Sequence, residues 1–417
     1  MTVELISVGT ELLLGNIVNS NATFLSVKCA QLGFSMYYQT VVGDNPGRLF
    51  ETIKKALDRS DIIIITGGLG PTQDDLTKEV LAKVLDRKLF MDQESKDKIS
   101  RYFKERTSNK DMAVITDNNW KQALKIADSI VVDNKNGTAP GYIIEENNNT
   151  IVLLPGPPSE MIPMFNNEIY PYLEKKQDRV FLSKMVKICG IGESRAETMI
   201  IDLIEKQDNP TIAPYSKNGQ VHFRITAAAD SVEEANALLG PVIEEFKKRF
   251  ADNIFTIDED ETLEEVVVKL LKEKKYSLTI AESCTGGLLS SAIVNVSGIS
   301  DVFNEAFITY SNRSKIKHLG VKEETIKKYG VVSAETAKEM AEGVAKKTSS
   351  DTALAVTGIA GPGGGSLKKP VGLVYISSYV DGKVYVKELR LKGDRQKIRE
   401  QTVVNALDYL RRNLTNS

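Results

Sequence analysis

The sequence predicts a multidomain α/β protein. Three observations lead there. At 417 residues the chain exceeds what one core ordinarily holds, strand and helix patterns alternate over residues 1–170, and strand–loop–helix units return over 262–417. In the first series Val3–Val8 reads as a strand, Asn19–Leu32 as a helix stopped at Gly33, and Phe34–Val42 as a strand. Asn45–Arg59 reads as a helix, Asp61–Thr66 as a strand and Leu76–Leu85 as a helix. That βαβ order implies a mostly parallel sheet covered on both faces, with ligands beyond the carboxyl ends of its strands.

Composition removes several classes of function. A formal net charge of −2 gives no sign of a nucleic-acid or acidic-membrane binder. The chain opens on an apolar strand with an early Glu4, which is not a signal peptide, and no apolar run reaches membrane-spanning length. Three separated cysteines, Cys29, Cys189 and Cys284, fit a reduced cytoplasm. Two histidines, His222 and His318, cannot build a His-rich zinc site, so any metal would need oxygen ligands. A serine nucleophile would take Lys, Tyr or a carboxylate as its base.

The N-terminal strand ends carry glycine-rich loops. Gly9-Thr10-Glu11 follows the first strand, Gly43-Asp44 the second and Thr66-Gly67-Gly68-Leu69-Gly70-Pro71-Thr72-Gln73-Asp74-Asp75 the third. Glycines let the backbone approach an anion, and a helix start beyond them offers free N–H groups. Asp74 and Asp75 would repel a phosphate unless a divalent cation bridges them, so they suggest a metal–phosphate site. Thr66, Gly67, Gly68, Gly70 and Thr72 are the candidate phosphate contacts. The same residues equally suit a plain turn with helix-capping aspartates. Two further loops follow, Asn136–Gly141 and Leu154-Pro155-Gly156-Pro157-Pro158, and the second suits either rigid turn chemistry or, with Glu160, the rim of a site.

Residues 171–252 form a smaller α+β module. Lys184–Cys189 is its first strand, a helix runs from Gly190 to Glu205, Gly219–Ala228 alternates like a strand, and Ser231–Phe250 is an amphipathic helix. Asp252–Glu261, acidic and poor in large apolar residues, reads as a linker.

In the last domain the strand Tyr276–Ala281 runs into Glu282-Ser283-Cys284-Thr285-Gly286 and a helix from Gly287. This turn either caps the helix through Ser283 or Thr285, or presents a nucleophile beside free amides. A strand ending at Tyr310 is followed by Lys315, which can act as a base only if its pKa is lowered. Thr357-Gly358 leads into Ile359–Ser366, which contains Gly361, Gly363, Gly364 and Gly365 and lacks the lysine of a P-loop. Arg395 precedes the closing helix Gln396–Leu410 and can fork onto a phosphate.

Taken in order, these loops resemble the CinA family (competence/damage-inducible protein A). Residues 1–170 look like its N-terminal domain, of the molybdopterin-binding three-layer α/β fold of MogA and MoaB. Residues 171–252 resemble its KH-like middle domain, although Gly190-Ile191-Gly192-Glu193 does not supply the G-x-x-G loop of nucleic-acid-binding modules. Residues 262–417 resemble its C-terminal domain, found alone as PncC, the nicotinamide-nucleotide amidase. The resemblance implies two activities. One is hydrolysis of nicotinamide mononucleotide to nicotinate mononucleotide and ammonia, without a cofactor. The other is hydrolysis of ADP-ribose at its pyrophosphate with Mg²⁺, Mn²⁺ or Co²⁺ held near Asp44, Asp74 and Asp75. It also implies a homodimer.

On this resemblance Ser283 attacks the amide, Lys315 takes its proton and Tyr310 relays or positions it. Amides at Thr285-Gly286 hold the oxyanion, and Gly361, Gly364, Ser366 and Arg395 bind the phosphate, with Thr357 and Gly358 beside the substrate. Cys284 is the rival nucleophile. The alternatives are an N-terminal domain that binds molybdopterin without turnover, or an accessory protein of competence or DNA damage.

Overall fold

The structure, a computed structural model, describes residues 1–106, 115–217 and 219–416. Strands β1 (Thr2–Val8), β3 (Ile62–Thr66) and β8 (Asn149–Leu154) are almost wholly buried, as expected of strands covered on both faces. With β2 (Ser35–Val42), β6 (Ile130–Val132) and β7 (Gly141–Glu146) they form a sheet of order β2-β1-β3-β8-β7-β6. The first three pairings are parallel and the last two antiparallel. A separate ribbon joins β4 (Leu89–Met91) to β5 (Leu124–Ile126).

Alternate residues of each central strand enter opposite cores. Leu5, Ile62, Ile64 and Val152 meet Leu25, Met161 and Phe165 on one face. Ile6, Ile63, Ile65 and Ile151 meet Leu49, Ile53 and Leu81 on the other. This is the three-layer architecture that period-two patterning of apolar strands produces. Helix Ser20–Gln31 starts where Asn19 accepts from Ala22 N–H, and Pro46–Leu57 where Asn45 accepts from Arg48 N–H.

The chain divides into two compact units, residues 1–182 with 228–232 and residues 183–227 with 233–417. The middle module has a four-stranded sheet of order β10-β11-β9-β12, from β9 (Val180–Cys189), β10 (Thr211–Lys217), β11 (Gln220–Ala229) and β12 (Ile254–Thr256). Phe223 of β11 packs on Phe246 and Phe250 of helix Val232–Phe250. Two expectations need correction here. The helix expected from Gly190 to Glu205 is two, Glu193–Thr198 and Ile201–Glu205, because fully buried Ile200 leaves the helical conformation at φ −128°. The expected linker contains β12, which pairs with β9 at Ile254 and Thr256 and buries Phe255, while Lys187 donates to the carbonyls of Glu259 and Glu261.

The last domain has a sheet of order β14-β13-β15-β16-β17, built from β13 (Leu278–Glu282), β14 (Phe303–Ile308), β15 (Thr352–Gly358), β16 (Leu373–Val380) and β17 (Lys383–Arg390). β13 pairs in parallel with both neighbours, and the rest is antiparallel. Helices Leu263–Lys274 and Arg395–Thr415 cover one face through Val267, Leu271, Leu407 and Leu410. Helix Ala334–Thr348 covers the other through Met340 and Val344. Among the described residues no helix is long and apolar enough to cross a membrane.

Candidate active site

Parallel β13, β14 and β15 end on the same side of their sheet, which brings three chemically distinct loops together. Between β13 and helix Leu288–Val294 lies the turn Ser283–Gly287, with Gly286 at φ 59° and Gly287 at φ 95°. These are left-handed conformations that a side chain would strain. Glu282 is fully buried and accepts from the N–H groups of Gly287 (2.9 Å), Leu289 (3.1 Å) and Ser290 (2.9 Å), and from the Ser290 hydroxyl. A carboxylate that saturates free amides at the positive end of a helix is a strong cap. Glu282 therefore takes the capping role, and Ser283 and Thr285 do not. Thr285 Oγ1 is buried and has no partner among the described residues, and Ser283 Oγ accepts from a lysine.

That lysine is Lys315. Its helix, Asn312–Leu319, begins where Ser311 accepts from Ser314 N–H. Lys315 is fully buried, and its Nζ donates to Ser283 Oγ at 3.0 Å, to Thr309 O at 2.6 Å and, more weakly, to Tyr310 O at 3.5 Å. Among the described residues no carboxylate pairs with it. Burial lowers its pKa from the ordinary lysine value to about 8. An amine so poised can accept a hydroxyl proton near neutral pH. Burial acts oppositely on the neighbouring Cys284 thiol, pushing it up to about 11, so that sulfur stays protonated at neutral pH. His318 is exposed at the end of the Lys315 helix, and burial pushes the distant His222 down to about 4.

Tyr310 is placed differently from a relay. Its hydroxyl accepts from Arg395 Nη2 at 3.2 Å, and only its carbonyl approaches Lys315. Arg395 Nη1 donates to Gly361 O at 2.8 Å, so Arg395 ties Tyr310 to the glycine loop. Gly361 (φ 78°) and Gly364 (φ 83°) hold left-handed turns of that loop. Ser366 closes it, its N–H donating to Lys369 O and its hydroxyl accepting from Lys369 N–H. The Thr357 hydroxyl is committed to Val331 O (2.8 Å), and a side chain at Gly358 would strike Val374 of β16. Thr357 and Gly358 thus shape the strand end. Of the turn amides, Gly286 N–H is used by Ser283 O and Gly287 N–H by Glu282, whereas Thr285 N–H has no backbone partner among the described residues and can face a developing oxyanion.

Two residues that the sequence reading did not single out complete the frame. Arg399, one turn beyond Arg395, donates from Nε and Nη2 to Thr285 O and grips the turn that carries Ser283. Lys369 donates to the carbonyls of Tyr329 and Val332 and anchors the far end of the glycine loop. Arg-x-x-x-Arg spacing on an amphipathic helix was the available signal for the first.

In the N-terminal domain a cleft of about 310 Å³ lies beyond the ends of β1, β3 and β8, lined by Glu11, Asn19, Asn21, Thr66 and Gly156 among others. Gly67 (φ 94°) and Gly68 (φ 66°) turn the chain there, and a side chain on either would collide with Val8 O or Thr77 Oγ1. Asn21 donates to Gly156 O, and its own amide oxygen is buried without a partner. The aspartates do not assemble. Asp44 Oδ2 accepts from the N–H and hydroxyl of Thr10, Asp75 Oδ2 accepts from those of Thr72, and a side chain on Gly70 would strike Asp75. Asp74 is exposed. Among the described residues no three Asp, Glu, His or Cys side chains converge on a metal position. The residues present do not make a complete metal cage.

Three family models match the chain: "Probable molybdopterin binding domain" over residues 4–175, "Damage-inducible protein CinA KH domain" over 183–256 and "CinA C-terminal domain" over 260–414. A "CinA-like protein" of Dictyoglomus turgidum is 52% identical over 417 residues, covering 100% of both chains. Another, of Kosmotoga olearia, is 51% identical over 414 residues, covering 99% of both. The crystal structure of the competence/damage inducible protein CihA from Agrobacterium tumefaciens is 41% identical, covers 37% of this chain and 93% of that one, and has a TM-score of 0.36. With three domain models in the expected order and full-length relatives above half identity, the chain belongs to the CinA family.

Proposed function

We propose that the C-terminal domain is a serine amidase that hydrolyses the carboxamide of nicotinamide mononucleotide to nicotinate mononucleotide and ammonia. The observation that carries this reading is the buried contact between Lys315 Nζ and Ser283 Oγ at 3.0 Å, with the lysine pKa brought to about 8. Neutral Lys315 takes the Ser283 proton as Oγ attacks the carboxamide carbon, and the amide of Thr285 receives the oxyanion. The resulting lysine ammonium returns that proton to the departing nitrogen, so ammonia leaves and an ester to Ser283 remains. Water, deprotonated by Lys315, then cleaves the ester to the carboxylate and restores Ser283. Arg395, between Tyr310 and Gly361, is the group for the substrate phosphate. Ammonia release from nicotinamide mononucleotide by purified protein without added metal tests this, and no release at millimolar substrate would refute it.

A second reading concerns the N-terminal cleft. Its glycine turns suit the approach of a phosphate, and the buried amide oxygen of Asn21 on its wall, unpartnered among the described residues, suits a hydroxyl or N–H donor elsewhere on the same ligand. ADP-ribose cleaved at its pyrophosphate in the presence of Mg²⁺, Mn²⁺ or Co²⁺ is the substrate this reading names. Asp44, Asp74 and Asp75 are the carboxylates this reading names for the cation, and in this structure they do not converge on one metal position. Metal-stimulated conversion of ADP-ribose to AMP and ribose phosphate would support it. Pterin that co-purifies without any turnover would replace it with a molybdopterin-binding role. Inactivity of both halves on both substrates would favour an accessory protein of competence or DNA damage.

A further inference from the structure

A cleft of about 770 Å³ lies within the second compact unit, between strands β10 and β11 of the middle module and the end of β17 with the closing helix. It is separate from the residues around Ser283. Four cationic side chains line it, Lys217, Arg390, Lys392 and Lys397, against one carboxylate, Glu193. Arg390 is neutralised by Glu388 at 2.8 Å, whereas Lys217, Lys392 and Lys397 enter no ion pair among the described residues. In a chain of net charge −2, three uncompensated ammonium groups around one cavity form a local field that favours a multiply charged anion. On the facing wall Gly192 has open space where a side chain would be, so its backbone can approach an anion closely. No aromatic side chain is among the lining residues, so the cleft has no surface on which nucleic-acid bases could stack.

We propose that this cleft is a binding site for a compact, multiply charged phosphate anion, either pyrophosphate or the polyphosphate end of a metabolite, held by Lys217, Lys392 and Lys397. The site does not depend on the reactions assigned above. It does share a helix with one of them. Lys397, Gln401 and Asn405, each four residues on from the last, line the cleft, while Arg395 and Arg399 of the same helix hold Tyr310 and Thr285.

The test uses the full-length protein and pyrophosphate as the probe. Calorimetric titration is compared for the wild type, for the double reversal Lys217→Glu/Lys392→Glu and for the conservative pair Lys217→Arg/Lys392→Arg. Hydrogen exchange of segments 216–221 and 390–401 is followed with and without pyrophosphate. The expected result is saturable binding that the reversal weakens at least ten-fold and the arginine pair retains, with slowed exchange in both segments. Should the reversal fail to fold, the exchange pattern of the wild type decides alone. Equal affinity in wild type and reversal, or no protection on both walls, would overturn the proposal. So would a single-stranded oligonucleotide that protects these segments where pyrophosphate does not.

Discussion

Lys315 Nζ sits 3.0 Å from Ser283 Oγ and 2.6 Å from Thr309 O, inside a site where the lysine itself has no solvent exposure. The carbonyl fixes the ammonium or amine in place, and the serine hydroxyl completes the pair. A lysine with no carboxylate partner carries the full cost of burial in its charged form, which is why its pKa falls. The geometry is that of a hydroxyl with a proton acceptor already aligned on it.

Ser283→Ala should lower ammonia release from nicotinamide mononucleotide by a factor on the order of 10⁴, because it removes the attacking atom. Cys284→Ala should stay within about ten-fold of wild type, since the Cys284 thiol is held protonated by its burial. Steady-state rates of both variants check this, and the reverse ranking would reassign the nucleophile.

The pH dependence has a definite sign. Lys315 must be neutral to accept a proton, and its pKa is about 8. Below that value kcat/KM should rise by about ten-fold per pH unit, and it should level off above it. Lys315→Arg keeps the positive charge but cannot deprotonate in this range, so it should be inactive across the whole profile. A flat profile between pH 6 and 9 would remove Lys315 as the base.

Glu282→Gln tests the cap. The carboxylate receives three backbone N–H groups and one hydroxyl, and an amide would turn its NH₂ toward some of those donors. Leaving buried donors unpaired should cost about 2–4 kcal/mol of stability in this domain. It should also lower kcat, because the same turn carries Ser283. Urea unfolding monitored by loss of amidase activity measures the first effect, and initial rates at low urea the second.

The strands and the loops at their ends were legible because apolar runs and glycine stops mark strand ends locally, whereas the order of strands in each sheet was not. Ser283, Lys315 and Arg395 were legible as residue types at those ends. What each side chain touches was not. Glu282 reaches amides five to eight residues ahead only because Gly286 and Gly287 turn left-handed, and a sequence does not disclose that turn's curvature. Tyr310 and Lys315 sit five positions apart, yet their polar ends diverge, since the helix start at Ser311 points Lys315 inward and leaves the tyrosine 61% exposed beside Arg395. Arg399 meets Thr285 across 114 residues of chain, a contact set by packing of the closing helix. Asp74 and Asp75 read as metal ligands by charge and Asp44 by family resemblance, whereas in the fold Asp44 accepts from Thr10 and Asp75 from Thr72 and, among the described residues, no three such side chains converge.

Two glycines of the N-terminal domain should respond oppositely to the same substitution. Gly67 holds φ 94° at the end of β3, and a Cβ there would run into the carbonyl oxygen of Val8 on the neighbouring strand. Neither the backbone conformation nor the obstacle can yield cheaply, because Val8 is held in the central sheet. Gly67→Ala should therefore destabilise the N-terminal unit by about 2–4 kcal/mol. Gly47 lies in helix Pro46–Leu57, where a Cβ would meet only Asn45 Oδ1 at an ordinary 3.6 Å. Gly47→Ala removes freedom from the unfolded chain and adds a good helix former, so it should stabilise by up to about 1 kcal/mol. Thermal unfolding of the two variants beside wild type measures the contrast. If Gly67→Ala melts with wild type, the tight approach of the glycine loop to β1, and with it the shape of the cleft beyond those strands, would be wrong.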